Sequence, residues 1–300
     1  MKLCSYRIAD QERLGVVLDS LDSVLDVAVA ARSAGEQLPG TMNGFLQTPE
    51  AGQRLERVVQ WAHSRPVEEL RGQQLLLPMG RLTWLPAVPH PPKILCIGLN
   101  YWDHCRETGQ QPPQHPVLFA KYTNTLLAHG DAIPLPKTSQ QVDYEAELCV
   151  VIGQRAKEIP VEHALSVVAG YTICNDLSAR DLQFGDGQWT RGKTQDGFFP
   201  VGPYLVTADE VGDPQHLSIR LTRNGETMQQ SNTSEMIFSV AAIISFLSEG
   251  ITLEPGDLIA TGTPAGVGMS RKPPVFLQDG DEIGIEILGL GRLTNHVRAG

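Results

Sequence analysis

Between positions 143 and 153 the chain reads Asp143-Tyr144-Glu145-Ala146-Glu147-Leu148-Cys149-Val150-Val151-Ile152-Gly153. Strand alternation puts Glu145, Glu147, Cys149 and Val151 on one face and Ala146, Leu148, Val150 and Ile152 on the other. Two carboxylates side by side repel, and a cation relieves that repulsion. Hard oxygen ligands of this kind suit Mg²⁺, Mn²⁺ or Ca²⁺. Taken by itself, the pair also reads as two solvated glutamates on a strand edge. A second segment, Asn175-Asp176-Leu177-Ser178-Ala179-Arg180-Asp181-Leu182-Gln183, follows an apolar stretch. If a helix opens at Asp176, then Asp176, Arg180 and Gln183 share one face at i, i+4 and i+7. Asp176 is then a candidate third metal oxygen, with Arg180 and Gln183 turned toward a substrate. The plainer alternative is an ordinary helical ion pair.

His104 and Glu107 lie three residues apart on a short helix that Gly109 ends. A carboxylate at that spacing can orient an imidazole, so the pair is a candidate general base for activating water. A surface His–Glu pair is the alternative. Cys105 is set aside as a nucleophile, because neighbours in sequence do not face each other on a helix. Lys193 sits in the glycine-punctuated run 187–198. There it can approach a bound anion closely, or it is a solvated turn lysine.

These residues need elements to hold them. The 29 glycines and 21 prolines cut the 300-residue chain into many short segments, which favours a strand-rich fold over a helical bundle. Val88-Pro89-His90-Pro91-Pro92 cannot continue a helix or a central strand and marks a boundary. Before it, strands are expected at 3–8, 13–18 and 74–78, with a short segment at 82–85. Helices are expected at 23–33 and 49–64, the latter with Thr48 as N-cap. After it, strands are expected at 93–98, 117–121, 147–153, 167–173, 203–207, 217–223, 258–261 and 281–287. A helix is expected at 234–248, capped by Ser234. The expected fold class is α+β, mostly β, with a small N-terminal domain (1–90) and a catalytic domain (91–300).

Composition closes off several functions. A net charge of −10 argues against nucleic acid as partner and requires local cations or a metal to hold an anionic substrate. The longest apolar stretch, 237–247, falls well short of the ~20 residues a bilayer needs, so no membrane role is expected. The first residues lack a signal or transit pattern, and cytoplasmic placement is the expectation. The five cysteines, odd in number and without C-x-x-C spacing, read as free thiols. No G-x-S-x-G, P-loop, H-E-x-x-H or EF-hand motif occurs, and the glycines of 262–268 have neither dinucleotide nor Walker spacing.

Six ordered motifs together resemble the fumarylacetoacetate hydrolase family over residues 93–287. They are Ile97-Gly98-Leu99-Asn100-Tyr101 with His104 and Glu107; Phe119-Ala120-Lys121; Asp143 to Leu148; Asn175-Asp176 with Ser178 to Asp181; Gly187-Gln188-Trp189 with Gly192-Lys193; and Pro255-Gly256-Asp257 with Thr261 to Pro264. The resemblance implies a mixed β-roll around the active site, usually in a homodimer, and a divalent metal, Mg²⁺ or a substitute, on Glu145, Glu147 and Asp176. It implies that His104 with Glu107 activates water and that Lys193 stabilises negative charge. Lys121, Arg180, Gln183, Gly262 and Thr263 are the implied substrate-site residues. Trp102 and His129 depart from the family pattern, at positions where a small residue and a proline are common. The leading expectation is a metal-dependent hydrolase that cleaves a C–C bond in an acylpyruvate-like 2,4-diketo acid. The second is an oxaloacetate decarboxylase or 2-oxo acid tautomerase, since all three reactions pass through a metal-stabilised enolate. The third is a metal-stabilised dimer that serves only as an interaction module.

Overall fold

The structure, a computed structural model, describes every residue from Met1 to Gly300 except Asp186. Its frame is a large mixed sheet. The strands run in the order Leu76–Pro78, Ser23–Asp26, Gln11–Leu18, Lys2–Ile8, Phe199–Thr207, Val168–Asn175, Ala146–Ile152, Leu258–Ala260, Ile94–Gly98 and Val117–Lys121. A second sheet is ordered Glu226–Asn232, Ser218–Arg223, Glu282–Ile287, Gly291–Ala299 and Ala132–Leu135. This is the mostly β, α+β architecture the sequence implies.

Ala146–Ile152 is central, and all seven of its residues are buried. Leu148, Val150 and Ile152 face a core shared with Ile219 and Ile285 of the second sheet and with Ile243 of helix Val240–Gly250. Cys149 and Val151 face the opposite core, shared with Leu55 and Val58 of helix Ala51–His63. The carboxylate-bearing face is therefore interior, which removes the solvated-edge reading of Glu145 and Glu147.

Three expected helices begin elsewhere. Residues 23–33 divide into strand Ser23–Asp26 and helix Val27–Ser33. The β-branched, buried start of this segment pairs with Gln11–Leu18, and Asp26 then caps the helix by accepting from the Val29 N–H at 3.0 Å. The helix expected from 49 is Ala51–His63, with Glu50 and not Thr48 at its N-cap; the Thr48 hydroxyl donates to Gly44 O instead. The helix expected from 234 is Val240–Gly250, capped by Ser239. Asn100 holds the preceding residues extended: its carbonyl accepts from the Ile237 N–H and its Oδ1 from the Phe238 N–H, each at 2.8 Å.

Candidate metal centre and active site

Strand pairing brings the acidic residues together. Ala146 pairs with Asn175 and Glu147 with Cys174. Just beyond the ladder, the Asp176 N–H donates to Glu145 O at 2.9 Å, and the Glu145 N–H to Asn175 Oδ1 at 3.0 Å. Carboxylate oxygens of Glu145, Glu147 and Asp176 consequently lie within 4.8 Å of one another, all three buried. The expected helix through Asp176, however, does not form there. Ser178–Ala179 first makes a short antiparallel pair with Val142–Asp143, and the helix opens at Arg180. Asp176 and Arg180 converge through that backbone excursion, not through a shared helical face.

Three cations are folded into the cluster. Lys193 Nζ lies 2.7 Å from Glu145 Oε2 and 2.9 Å from Asp176 Oδ2. Arg180 bridges Asp143 at 2.9 Å and Glu145 at 2.7 Å. Lys121 donates to Asp176 Oδ1 and to Leu177 O, so it stands behind Asp176. Burial alone would raise the pKa of Glu145, but Lys193 and then Arg180 outweigh it and hold the group at about 2. Glu147 differs. Among the described residues it forms no ion pair, and its Oε2 accepts from the Gly262 N–H at 2.7 Å. Burial, then Asp176, then Glu145 push its pKa well above the ordinary value. Among the described residues, four buried carboxyl groups, counting Asp143, thus face three buried cations. Glu147 is the carboxyl left without a cation partner, and in the metal-free protein a proton takes that place.

A cleft opens onto this cluster, lined by His104, Glu145, Glu147, Asp176, Arg180, Gln183, Lys193 and Thr263, with aromatic walls from Phe119, Phe184 and Trp189. His104 Nδ1 is buried and has no hydrogen-bond partner among the described residues; it stands 3.6 Å from Glu107 Oε2. Burial would raise the Glu107 pKa, but the His104 ring and the Gly266 N–H, 3.0 Å away, together hold it below its ordinary value. The Gln183 carbonyl accepts from Arg180 at 3.0 Å, which fixes the orientation of its amide. Gly262 has φ +103° and its backbone, not a side chain, meets Glu147. The Thr263 hydroxyl donates to Ala146 O and accepts from Gln229. Trp102 and His129 do not line the cleft; His129 accepts from the Thr294 N–H and packs edge-on against Trp84.

Asp143, Phe119 and Trp189 stand in the sequence motifs but carry no expected role there, and the structure places all three at the site. Asp143 anchors Arg180 and also accepts from the Gly268 and Met269 N–H groups. Its place two residues before Glu145 was the available signal. Phe119 carries the Lys193 ammonium 4.9 Å from its ring centre, and Trp189 stacks edge-on against Phe119. A Cβ at Gly98 would come within 2.6 Å of the Trp189 ring, so that glycine makes room for the wall.

Residues 93–298 match the family model described as fumarylacetoacetate (FAA) hydrolase, C-terminal. The chain belongs to the fumarylacetoacetate hydrolase family. Within similar proteins, it is 46% identical over 262 residues to a Bos taurus protein named oxaloacetate tautomerase FAHD2A, mitochondrial, covering 87% of this chain and 80% of that one. It is 40% identical to a Xenopus laevis protein named oxaloacetate tautomerase fahd2, mitochondrial, over 99% of this chain and 90% of that one. Among solved structures, a putative HpcE protein from Mycobacterium smegmatis superposes with a TM-score of 0.83 at 35% identity, with both chains fully covered.

Two expectations are corrected by these family members. The expected hydrolase, an acylpyruvase cleaving a C–C bond, gives way because the similar proteins are named as tautomerases of oxaloacetate. The residue types did not distinguish the two, since enolate stabilisation serves both reactions. The expected cytoplasmic placement gives way because the same proteins are named as mitochondrial. Five buried free thiols ask only for reducing surroundings, which do not single out the cytoplasm. Among the described residues no helix is long and apolar enough to cross a membrane.

The raised pKa of Glu147 has a thermodynamic consequence. In the metal-free protein its protonated form favours the folded state. That contribution is complete below its ordinary value of 4.5 and is lost as pH rises through the folded value. A divalent cation bound there would replace the proton, so the Tm increase on adding such an ion is expected to grow as pH rises from the ordinary carboxylate range toward the raised folded value. Differential scanning fluorimetry in EDTA and in Mg²⁺ across that range measures it; a pH-independent increase would contradict the assignment.

Proposed function

We propose that this chain is a divalent-metal-dependent oxaloacetate tautomerase, interconverting the enol and keto forms of a 2-oxo dicarboxylic acid. The observation that carries the reading is the unmatched buried carboxylate, Glu147, whose oxygens lie within 4.8 Å of those of Glu145 and Asp176 in a cleft that the buried His104 ring also lines. An all-oxygen donor set with surplus negative charge fits a hard divalent ion, and Mg²⁺ is the proposed one, with Mn²⁺ or Ca²⁺ as substitutes. The tautomerase names of the 40–46% identical relatives support the choice of reaction. A homodimer is proposed as the working form.

When bound, the ion supplies Lewis-acid polarisation of the substrate's 2-oxo and carboxylate oxygens. The chain's own residues do the rest. Lys193, fixed between Glu145 and Asp176, keeps a positive charge next to the oxygen on which negative charge grows. In the keto-to-enol direction His104 takes the proton from C3 and later releases it to solvent, while the enolate oxygen takes one proton from solvent; in the other direction the oxygen gives its proton to solvent and protonated His104 delivers one to C3. Glu107 orients the ring for that transfer. Phe119 and Trp189, packed edge to face, give the cleft an apolar wall beside Lys193.

A substrate panel tests the proposal. Enol-rich oxaloacetate, acetylpyruvate and fumarylpyruvate are offered with Mg²⁺ and with EDTA, following enol absorbance and pyruvate release separately. The expected result is EDTA-sensitive loss of the enol of oxaloacetate with pyruvate no faster than the blank. Pyruvate release matching enol loss would overturn it.

A further inference from the structure

Helix Trp102–Thr108 carries both His104 and Glu107, yet it has little apolar grip on the protein. Its buried residues are His104 and Cys105, and Trp102 is 43% exposed. A two-turn helix without an apolar face takes its place from polar ties. Arg106 makes one, to Glu235, but that pair is exposed and contributes little. Asp103 makes two that are partly buried. Its Oδ2 accepts from Ser231 Oγ at 2.6 Å, and its Oδ1 accepts from the Ala265 N–H at 3.3 Å. One turn later, Glu107 accepts from the next N–H, Gly266, at 3.0 Å. The backbone receiving these ties also delivers the Gly262 N–H to Glu147. Ser231 belongs to strand Glu226–Asn232 of the second sheet. Asp103 therefore joins the helix to the second sheet and to the 262–266 segment, while it does not line the cleft itself.

We propose that Asp103 is the positioning residue that sets His104 in the cleft beside the carboxylate triad, by strapping its helix to Ser231 and to the 262–266 segment. It touches no reacting atom and acts through His104, so the inference rests on the proposed role of His104 in proton transfer. Glu107 does not substitute for it, because the same carboxylate must also face the His104 ring.

Cys105 offers a readout independent of turnover. It is 3% exposed beneath this helix, whereas Cys4, Cys96, Cys149 and Cys174 are at 0% in the cores. Maleimide labelling mapped by mass spectrometry is expected to rise about tenfold at Cys105 in Asp103→Ala and to stay unchanged at the other four. In the same variant kcat is expected to fall about 10–100-fold with KM nearly constant. Asp103→Asn keeps an acceptor for the Ala265 N–H and a partner for Ser231, so it should recover most of both. Ser231→Ala added to Asp103→Ala should cost little more. Wild-type labelling at Cys105, an unchanged kcat in Asp103→Ala, or an Asn variant as impaired as the Ala variant would each overturn the proposal. If the wild-type enzyme does not interconvert oxaloacetate tautomers, the proposed function fails separately, and the labelling ratio still decides for or against the strap.

Discussion

Glu147→Gln is expected to do two opposite things. In EDTA the variant should be more stable than the wild type, because a desolvated carboxylate without an ion pair becomes a neutral amide of nearly the same shape. Relieving a buried, uncompensated charge is worth on the order of 1–3 kcal/mol. The amide can still accept from the Gly262 N–H, so local structure is retained. In Mg²⁺ the variant should lose at least about a hundredfold in tautomer interconversion, since a donor oxygen and its charge are removed from the cluster. Its Tm should no longer respond to Mg²⁺. Paired urea titrations in EDTA and in Mg²⁺, with enol-decay rates on the same preparations, read both effects. A variant that is less stable than the wild type in EDTA, or that keeps wild-type turnover, would remove Glu147 from the proposed ligand set.

His104→Ala is expected to separate proton transfer from metal binding. The ring lines the cleft but pairs with none of the three clustered carboxylates, so Mg²⁺ affinity should be unchanged. Interconversion should fall by about 10²–10⁴, the usual contribution of a positioned general base. Deuterium exchange at C3 of the keto form, followed by NMR, isolates the step and should fall by the same factor. Exchange at the wild-type rate in His104→Ala would assign the proton to another group. Glu107→Gln should give a smaller loss, because Glu107 acts on the ring and not on the substrate.

The legible parts of this protein were those set by local periodicity. The alternation in Ala146–Ile152 correctly gives a strand with Glu147 on one face and Leu148, Val150 and Ile152 on the other. The strand Val117–Lys121 and the helix that Gly109 ends are found at their expected places. Local signals misled where a distant partner decides. Ser234 and Ser239 are both good caps, and Asn100, far away in sequence, selects Ser239 by tying Ile237 and Phe238. Asp176 looks like the start of a helix, but pairing of Ser178–Ala179 with Val142–Asp143 delays the helix to Arg180. The charge balance was out of reach for the same reason. That Lys121 stands behind Asp176, that Lys193 bridges two carboxylates and that Glu147 is left over depend on strand register. The choice of reaction was not written in residue types at all, because a metal-held enolate can be protonated, decarboxylated or attacked by water.

We propose that Glu145, Glu147 and Asp176 together hold one divalent ion on which turnover depends. Stepwise addition of Mn²⁺ to EDTA-stripped enzyme, with free ion read by its EPR signal and enol decay measured on the same samples, tests it most directly. The expected result is one tight site per chain, activity rising in proportion to its occupancy, and loss of that site in Glu147→Gln. Full activity in the stripped enzyme, or a tight site that persists in Glu147→Gln, would contradict it.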